Sequence, residues 1–181
     1  MRPKLIKKSK FLSLILRHDP SVVGVKLDES GWIDVDVLLA AIQKQQGNFS
    51  RACLDEIVAT NDKKRFVFSD DGSRIRASQG HSIRINLGLP PSIPPDELFH
   101  GTAARNLPSI RDQGLIRGRR DHVHLSSDTD TARKVGMRHG RPVVLVIQAQ
   151  QMSAAGHTFY LSDNGVWLTE AVPIEFICFP E

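Results

Sequence analysis

Apolar residues recur along the first ninety positions with helical spacing. Phe11, Leu12, Leu14, Ile15 and Leu16 form the buried face of a short helix over about 8–18. Pro20 disfavours helical geometry at Asp19, which predicts a stop near His18. A second helix follows Gly31-Trp32-Ile33, with Asp34 as N-cap before the run from Val35 to Ile42. A third follows Ser50 and carries Leu54, Ile57 and Val58 on one face. The pattern then shifts to alternation. Arg65-Phe66-Val67-Phe68 and Arg74-Ile75-Arg76-Ala77 flank Ser69-Asp70-Asp71-Gly72-Ser73, which predicts a β-hairpin. Three helices closed by a basic hairpin make a winged-helix pattern, a module that binds nucleic acid through its helices and wing or serves as a structural lobe.

The remaining chain is richer in strands. Leu98-Phe99-His100 reads as a strand entering a turn at Gly101-Thr102. A helix over about 104–113 ends at Gly114, a strand covers His122 to Ser126, and a helix spans about 129–138. Val143 to Ile147 reads as a buried strand. Phe159-Tyr160-Leu161 and Val166-Trp167-Leu168 flank the hairpin signal Ser162-Asp163-Asn164-Gly165, and Ile174 to Phe179 is the last predicted strand. Many strands with two short helices predict an α+β lobe. Between the halves, Leu87 to Pro95 holds four of the chain's ten prolines and reads as a stiff connector. The expected organisation is a first lobe over 1–88, a linker over 89–95 and a second lobe over 96–181.

A chain of 181 residues with 40% hydrophobic content is long and apolar enough for two packed lobes. No apolar stretch approaches the ~20 residues of a membrane span, and the run from Phe11 to Leu16 is too short for a signal-peptide core. Cys53 and Cys178 lie far apart and in no metal-ligand spacing, so a reducing, cytoplasmic setting is expected. The net charge of +4 is unevenly spread: residues 1–89 carry 15 Lys and Arg against 10 Asp and Glu, and residues 90–181 carry 9 against 10. A polyanionic partner held mainly by the first half follows from that asymmetry.

No Gly-x-Gly-x-x-Gly, Walker A loop, His-Glu-x-x-His or Cys-x-x-Cys occurs, which argues against a Rossmann dehydrogenase, a P-loop NTPase and a zinc hydrolase. His122 and His124 have chelate spacing on a strand but no accompanying carboxylate cluster, so no metal is expected. Cations instead gather where elements end. Arg17-His18 sets a permanent cation beside a titratable imidazole, which suits either the negative end of a helix or an anion that must exchange a proton. Lys63-Lys64-Arg65 precedes a strand, Arg76 to Ser82 ends one, and Arg138-His139 closes a helix.

Taken in order, Leu16-Arg17-His18, Asn61-Asp62-Lys63-Lys64-Arg65-Phe66, Gln79-Gly80-His81-Ser82, His100-Gly101-Thr102, His122-Val123-His124-Leu125-Ser126, Gly136-Met137-Arg138 and Gly165-Val166-Trp167-Leu168 resemble the motif series of the RNA 2′-phosphotransferase family of the KptA type. The resemblance runs from about residue 8 to 179. It implies a winged-helix RNA lobe followed by an ADP-ribosyltransferase-like lobe that binds NAD⁺ as a consumed co-substrate. The implied reaction removes an internal 2′-phosphate, as at a tRNA splice junction, through an RNA-2′-phospho-ADP-ribose intermediate. It releases nicotinamide and ADP-ribose 1″,2″-cyclic phosphate.

The family's catalytic set falls on Arg17, His18, Arg65 and Arg138. Its cofactor contacts fall on His100, Gly101, Thr102, His124, Leu125, Ser126 and Val166, with Gly101 in a turn that a ligand approaches closely. Val166 is apolar where protein-modifying relatives place a glutamate, and Glu170 is a less direct match. Lys64, Arg76, Gln79, His81 and Ser82 are the implied RNA and phosphate contacts. A monomer without membrane attachment is expected. Two alternatives stay open at this point: ADP-ribosylation of terminal phosphates of RNA or DNA, and a non-catalytic RNA-binding protein.

Overall fold

The structure, a computed structural model, describes residues 3–61 and 63–180. It is a mixed α and β chain with small sheets, and it divides into two compact units, Met1–Gly88 and Leu89–Glu181. Among the described residues no helix is long and apolar enough to cross a membrane.

The first unit opens with helix α1, Pro3–Arg17. It starts five residues earlier than its apolar run suggests. Leu5 lies two turns before Leu12 on the same stripe and joins the core with Leu12, Ile15 and Leu16. The expected apolar face needs one correction: Leu14 is exposed. The helix ends where Pro20 requires, since the N–H groups of His18 and Asp19 both donate to Leu14 O, at 3.0 and 2.8 Å, before the chain turns away.

Strand β1, Ile33–Asp34, leads into α2, Val35–Gln46. The Asp34 carboxylate caps α2 by accepting from Asp36 N and Val37 N. Helix α3, Arg51–Ala59, is capped by Ser50 and buries Leu54 and Ile57. Strands β2, Phe66–Phe68, and β3, Arg74–Ala77, form the hairpin. β1 pairs with β3 through Ile33↔Ile75, so the sheet order is β1-β3-β2. Two residues are too few to show alternation, which is why β1 escapes a reading of the sequence.

The second unit contains β4 (Leu98–Ala103), α4 (Leu107–Gln113), β5 (Leu115–Ile116), β6 (Val123–Leu125) and α5 (Thr129–Gly136). There follow β7 (Pro142–Ile147), α6 (Ala149–Ala154), β8 (Phe159–Leu161), β9 (Trp167–Thr169), β10 (Ala171–Val172) and β11 (Ile177–Cys178). The sheet orders are β11-β7-β4, β6-β9-β8 and β10-β5, all antiparallel. Residues 89–95 belong to this unit: Pro91 bridges Tyr160, and Ser92 N donates to Phe159 O at 2.8 Å.

Three expected elements differ. Gly101-Thr102 is not a turn; β4 continues through both residues to Ala103 and pairs with β7 along its whole length. The helix expected to reach residue 138 is α-helical only to Gly136 and tightens to a 3-10 turn over Met137–His139. The last predicted strand begins as a 3-10 turn over Ile174–Phe176, because the Phe176 N–H closes back on Pro173 O, and only Ile177–Cys178 pairs.

The glycine in β4 has a packing reason. A Cβ on Gly101 would lie 1.6 Å from the carbonyl oxygen of Ala132, and one on Gly136 would lie 2.7 Å from Thr102 O. Helix α5 therefore rests directly on the backbone of β4. Gly101→Ala should force the two apart and lower the stability of the second unit by about 3 kcal/mol or more. The urea midpoint of that unit reads this; an unchanged midpoint would show that the contact is not tight.

Candidate functional site

The end of α1 and the segment after β3 build one cluster within the first unit. The Ser82 N–H donates to Arg17 O at 2.9 Å, and Ser82 Oγ lies 2.8 Å from His18 Nδ1. The last turn of α1 and residue 82 are thus held by one side chain and one peptide. Beside them His81 is buried, with only 2% of its surface exposed. Burial, and then the charges of Arg17, His18 and Arg76, push its pKa down to about 4. A neutral imidazole consequently fills the space behind a group of cations.

Arg65 reaches this cluster from the segment between α3 and β2. Asn61 Oδ1 accepts from Lys63 N at 3.2 Å and from Arg65 Nη1 at 3.4 Å. Lys64 has φ of 42°, a left-handed conformation uncommon for a residue with a side chain. Both of its peptide groups are used: Lys64 N donates to Asn61 O at 2.8 Å and Ser78 Oγ donates to Lys64 O at 2.8 Å. Ser78 N then donates to Arg65 O at 2.9 Å. This tight turn sets the direction in which Arg65 leaves the backbone. Asp62, part of the same motif, lies outside the described residues.

Arg17, His18 and Arg65 line a common cavity of about 550 Å³, with Lys10, Ser13, Asn61 and Lys63 among its other walls. Among the described residues that line it none is a carboxylate. Four cationic side chains around one cavity suit an anion with several oxygens.

Of the other residues expected to meet RNA, Arg76 lies 4.6 Å over the Trp32 ring and donates to Leu87 O at 3.1 Å. Arg74 stacks on the same ring at 5.8 Å and pairs with Asp28. Gln79 is half-buried after β3, and Lys64 is exposed. None of these four lines the cavity.

In the second unit, His100 on β4 and His124 on β6 are joined. His100 Nδ1 is 3.1 Å from His124 O, and because a carbonyl only accepts, that nitrogen carries the proton. Burial pushes the His100 pKa down, so the ring is neutral. Arg120 Nη1 donates to His124 Nδ1 at 3.1 Å, which places the His124 lone pair on Nδ1. Paired backbone bonds between Phe99 and Ser126, 2.9 and 2.8 Å, tie β4 to the end of β6. Val166 lies one residue beyond the Leu125↔Trp167 pair, opposite Ser126.

His100, His124, Ser126 and Val166 therefore share one region. Leu125 packs into the core, Gly101 faces α5, and buried Thr102 accepts from Asn106 Nδ2 at 3.1 Å. Arg138 is exposed in the 3-10 turn after α5. Among the described residues no group of three or more His, Cys, Asp or Glu is placed to hold a metal ion.

Asn61, Ser78, Lys10, Ser13 and Arg120 were not singled out as site residues from the sequence. Asn61 stood inside a quoted motif, but a short polar side chain before a basic run reads equally as a turn residue.

Comparison with known proteins decides the family. The model of the RNA 2′-phosphotransferase, Tpt1 / KptA family matches residues 3–171. The chain belongs to the RNA 2′-phosphotransferase family. Proteins named probable RNA 2′-phosphotransferase are similar to it along nearly their whole length. One from Hahella chejuensis is 55% identical over 177 residues, covering 98% of this chain and 95% of that protein. One from Rhodopirellula baltica is 52% identical over 178 residues, covering 98% and 97%. One from Agrobacterium fabrum is 54% identical over 169 residues, covering 93% and 91%. Membership of the RNA 2′-phosphotransferase family makes the chain a transferase with an RNA substrate class.

His81 gives the cluster a pH signature. Its pKa is about 4 in the folded chain against 6.5 for the ordinary group, so the unfolded chain binds more protons between those values. Its contribution to stability is complete above pH 6.5 and falls away as the pH drops toward 4, by roughly 3 kcal/mol in total. Urea unfolding of the wild type and His81→Gln across this window should show the variant's dependence flattened. Parallel curves would mean that His81 is not held neutral.

Proposed function

We propose that this chain is an NAD⁺-dependent RNA 2′-phosphotransferase acting on an internal 2′-phosphate, as left at a tRNA splice junction. The observation that carries the reading is the convergence of Arg17, His18 and Arg65 on one cavity with no carboxylate among its described lining residues. In this reading the first unit is a winged-helix RNA lobe, the second is an ADP-ribosyltransferase-like lobe, and the enzyme works in a reducing, cytoplasmic compartment.

The 2′-phosphate is already charged and already nucleophilic, so its first need is placement. Arg17 and Arg65 hold its oxygens, and the resemblance to the family assigns Arg138 to the same catalytic set. NAD⁺ supplies an electrophilic ribose carbon, C1″, whose bond to nicotinamide breaks as the phosphate oxygen bonds to it. In the second step O2″ of the same ribose bonds to phosphorus and the bond from phosphorus to RNA O2′ breaks. O2″ gives up a proton and O2′ takes one. His18 moves that proton, because imidazole nitrogens both donate and accept and Ser82 fixes the ring at Nδ1. The arginines stabilise the charge that builds on the phosphorus oxygens.

The second unit's residues fit a dinucleotide through the chemistry of their donors. His100 and His124 are fixed in defined tautomers by a carbonyl and by Arg120, with Ser126 and Val166 beside them. Gly101 contributes here by letting α5 approach β4.

Incubation with NAD⁺ and an oligonucleotide carrying one internal 2′-phosphate should release nicotinamide and leave a free 2′-OH. Retention of the phosphate with intact NAD⁺ would sink the reading. Modification of a 5′-phosphorylated oligonucleotide instead would move the activity to terminal phosphates. His18→Ala and Arg65→Ala should each slow turnover by about 10²–10³. They should slow the second step more than the first, so ADP-ribosylated RNA accumulates on denaturing gels. Unreacted RNA in both variants would count against the assigned roles.

A further inference from the structure

A cavity of about 550 Å³ is several times larger than one phosphate group. Arg17, His18 and Arg65 account for part of it. The remainder runs back along α1, where Lys10 and Ser13 precede Arg17 by seven and four residues and share its face. That is about 10 Å of helix. Asn61 and Lys63 also line it.

Asn61 is 5% exposed. Its Oδ1 is committed to Lys63 N and Arg65 Nη1, while its Nδ2 has no hydrogen-bond acceptor among the described residues. A buried donor left without an acceptor is costly, so it points to an acceptor on a bound ligand. Exposed Leu14 adds an apolar strip between these polar groups. Two lysines, a hydroxyl and an amide donor around this extension specify a second anion.

We propose that Lys10, Ser13, Asn61 and Lys63 form a subsite for the backbone phosphodiester on the 3′ side of the ribose that carries the 2′-phosphate. This rests on the function proposed above. The chemistry of the substrate supports it. An internal 2′-phosphate sits on the ribose carbon adjacent to the one bearing the 3′-phosphodiester, so the two anions enter together. Two anions this close repel each other, and cations that meet both remove that cost. A subsite for the second makes the enzyme select an internal 2′-phosphate over one on a 3′-terminal nucleotide, which has no such neighbour. The NAD⁺ pyrophosphate has similar chemistry, and the test separates the two.

Equilibrium binding, read by fluorescence anisotropy without NAD⁺, uses three oligonucleotides. The first carries an internal 2′-phosphate, the second also has a neutral methylphosphonate at the 3′-flanking linkage, and the third has no 2′-phosphate. The wild type should bind the first roughly tenfold more tightly than the second. Lys10→Gln should weaken the first roughly fivefold and reduce its salt slope by about 0.7. It should leave binding of the second unchanged. Ser13→Ala, which removes only the hydroxyl and leaves the contacts of Arg65 intact, should show the same selectivity.

Equal weakening of the first two oligonucleotides, or none, would overturn the subsite. So would a Lys10→Gln effect confined to NAD⁺ in a calorimetric titration. Equal wild-type affinity for the first and third would instead overturn 2′-phosphate recognition itself, and the subsite with it.

Discussion

Ser82 closes a loop of more than sixty residues onto the end of α1. Its peptide N–H occupies the Arg17 carbonyl and its hydroxyl meets the His18 ring. Everything else about the first unit's cation cluster depends on that closure. The last turn of a helix leaves carbonyls unsatisfied and carries partial negative charge. Here one such carbonyl is taken by the returning chain, so the two side chains that follow project from an anchored end. His81, next in sequence, is drawn into the interior by the same contact and loses its charge there. Packing a neutral ring behind Arg17 and Arg76 avoids a further positive charge in a region that already concentrates several.

The segment that delivers Arg65 obeys a similar rule. A left-handed residue such as Lys64 costs about 1–2 kcal/mol. The cost is tolerated because the N–H and C=O of Lys64 are both engaged, by Asn61 and Ser78. Ser78 also holds Arg65 O, so strand β3 determines where the guanidinium starts. In the second unit the corresponding constraint is steric. Glycines at 101 and 136 let α5 lie against β4, and β4 is thereby fixed along its pairing with β7. His100 inherits its position from that strand, and its bond to His124 O links the sheets.

Much of this was legible in the residues. The N-caps Asp34 and Ser50, the stop imposed by Pro20 and the hairpin around Gly72 are local effects, and each appears where its side chain predicts. Elements that depend on a distant partner were not legible. β1, β5 and β10 are two-residue strands that exist only because another strand lies beside them. Gly101 does not declare its role, because glycine's lack of a side chain serves a turn and a close helix contact equally well. Leu14 looks like core in the sequence, because an apolar residue inside an apolar run carries no label for the side it faces.

The sequence by itself determined the local geometry, the charge asymmetry and the ordered motifs, because each depends on neighbouring residues or on residue identity alone. Only the tertiary structure decided that Arg17, His18 and Arg65 share a cavity with Lys10, Ser13, Asn61 and Lys63. Those groups are up to 55 positions apart, from Lys10 to Arg65, and chain order says nothing about distances across a fold. The structure likewise decided that His81 is neutral, since burial and neighbouring charge belong to the assembled unit and not to the residue.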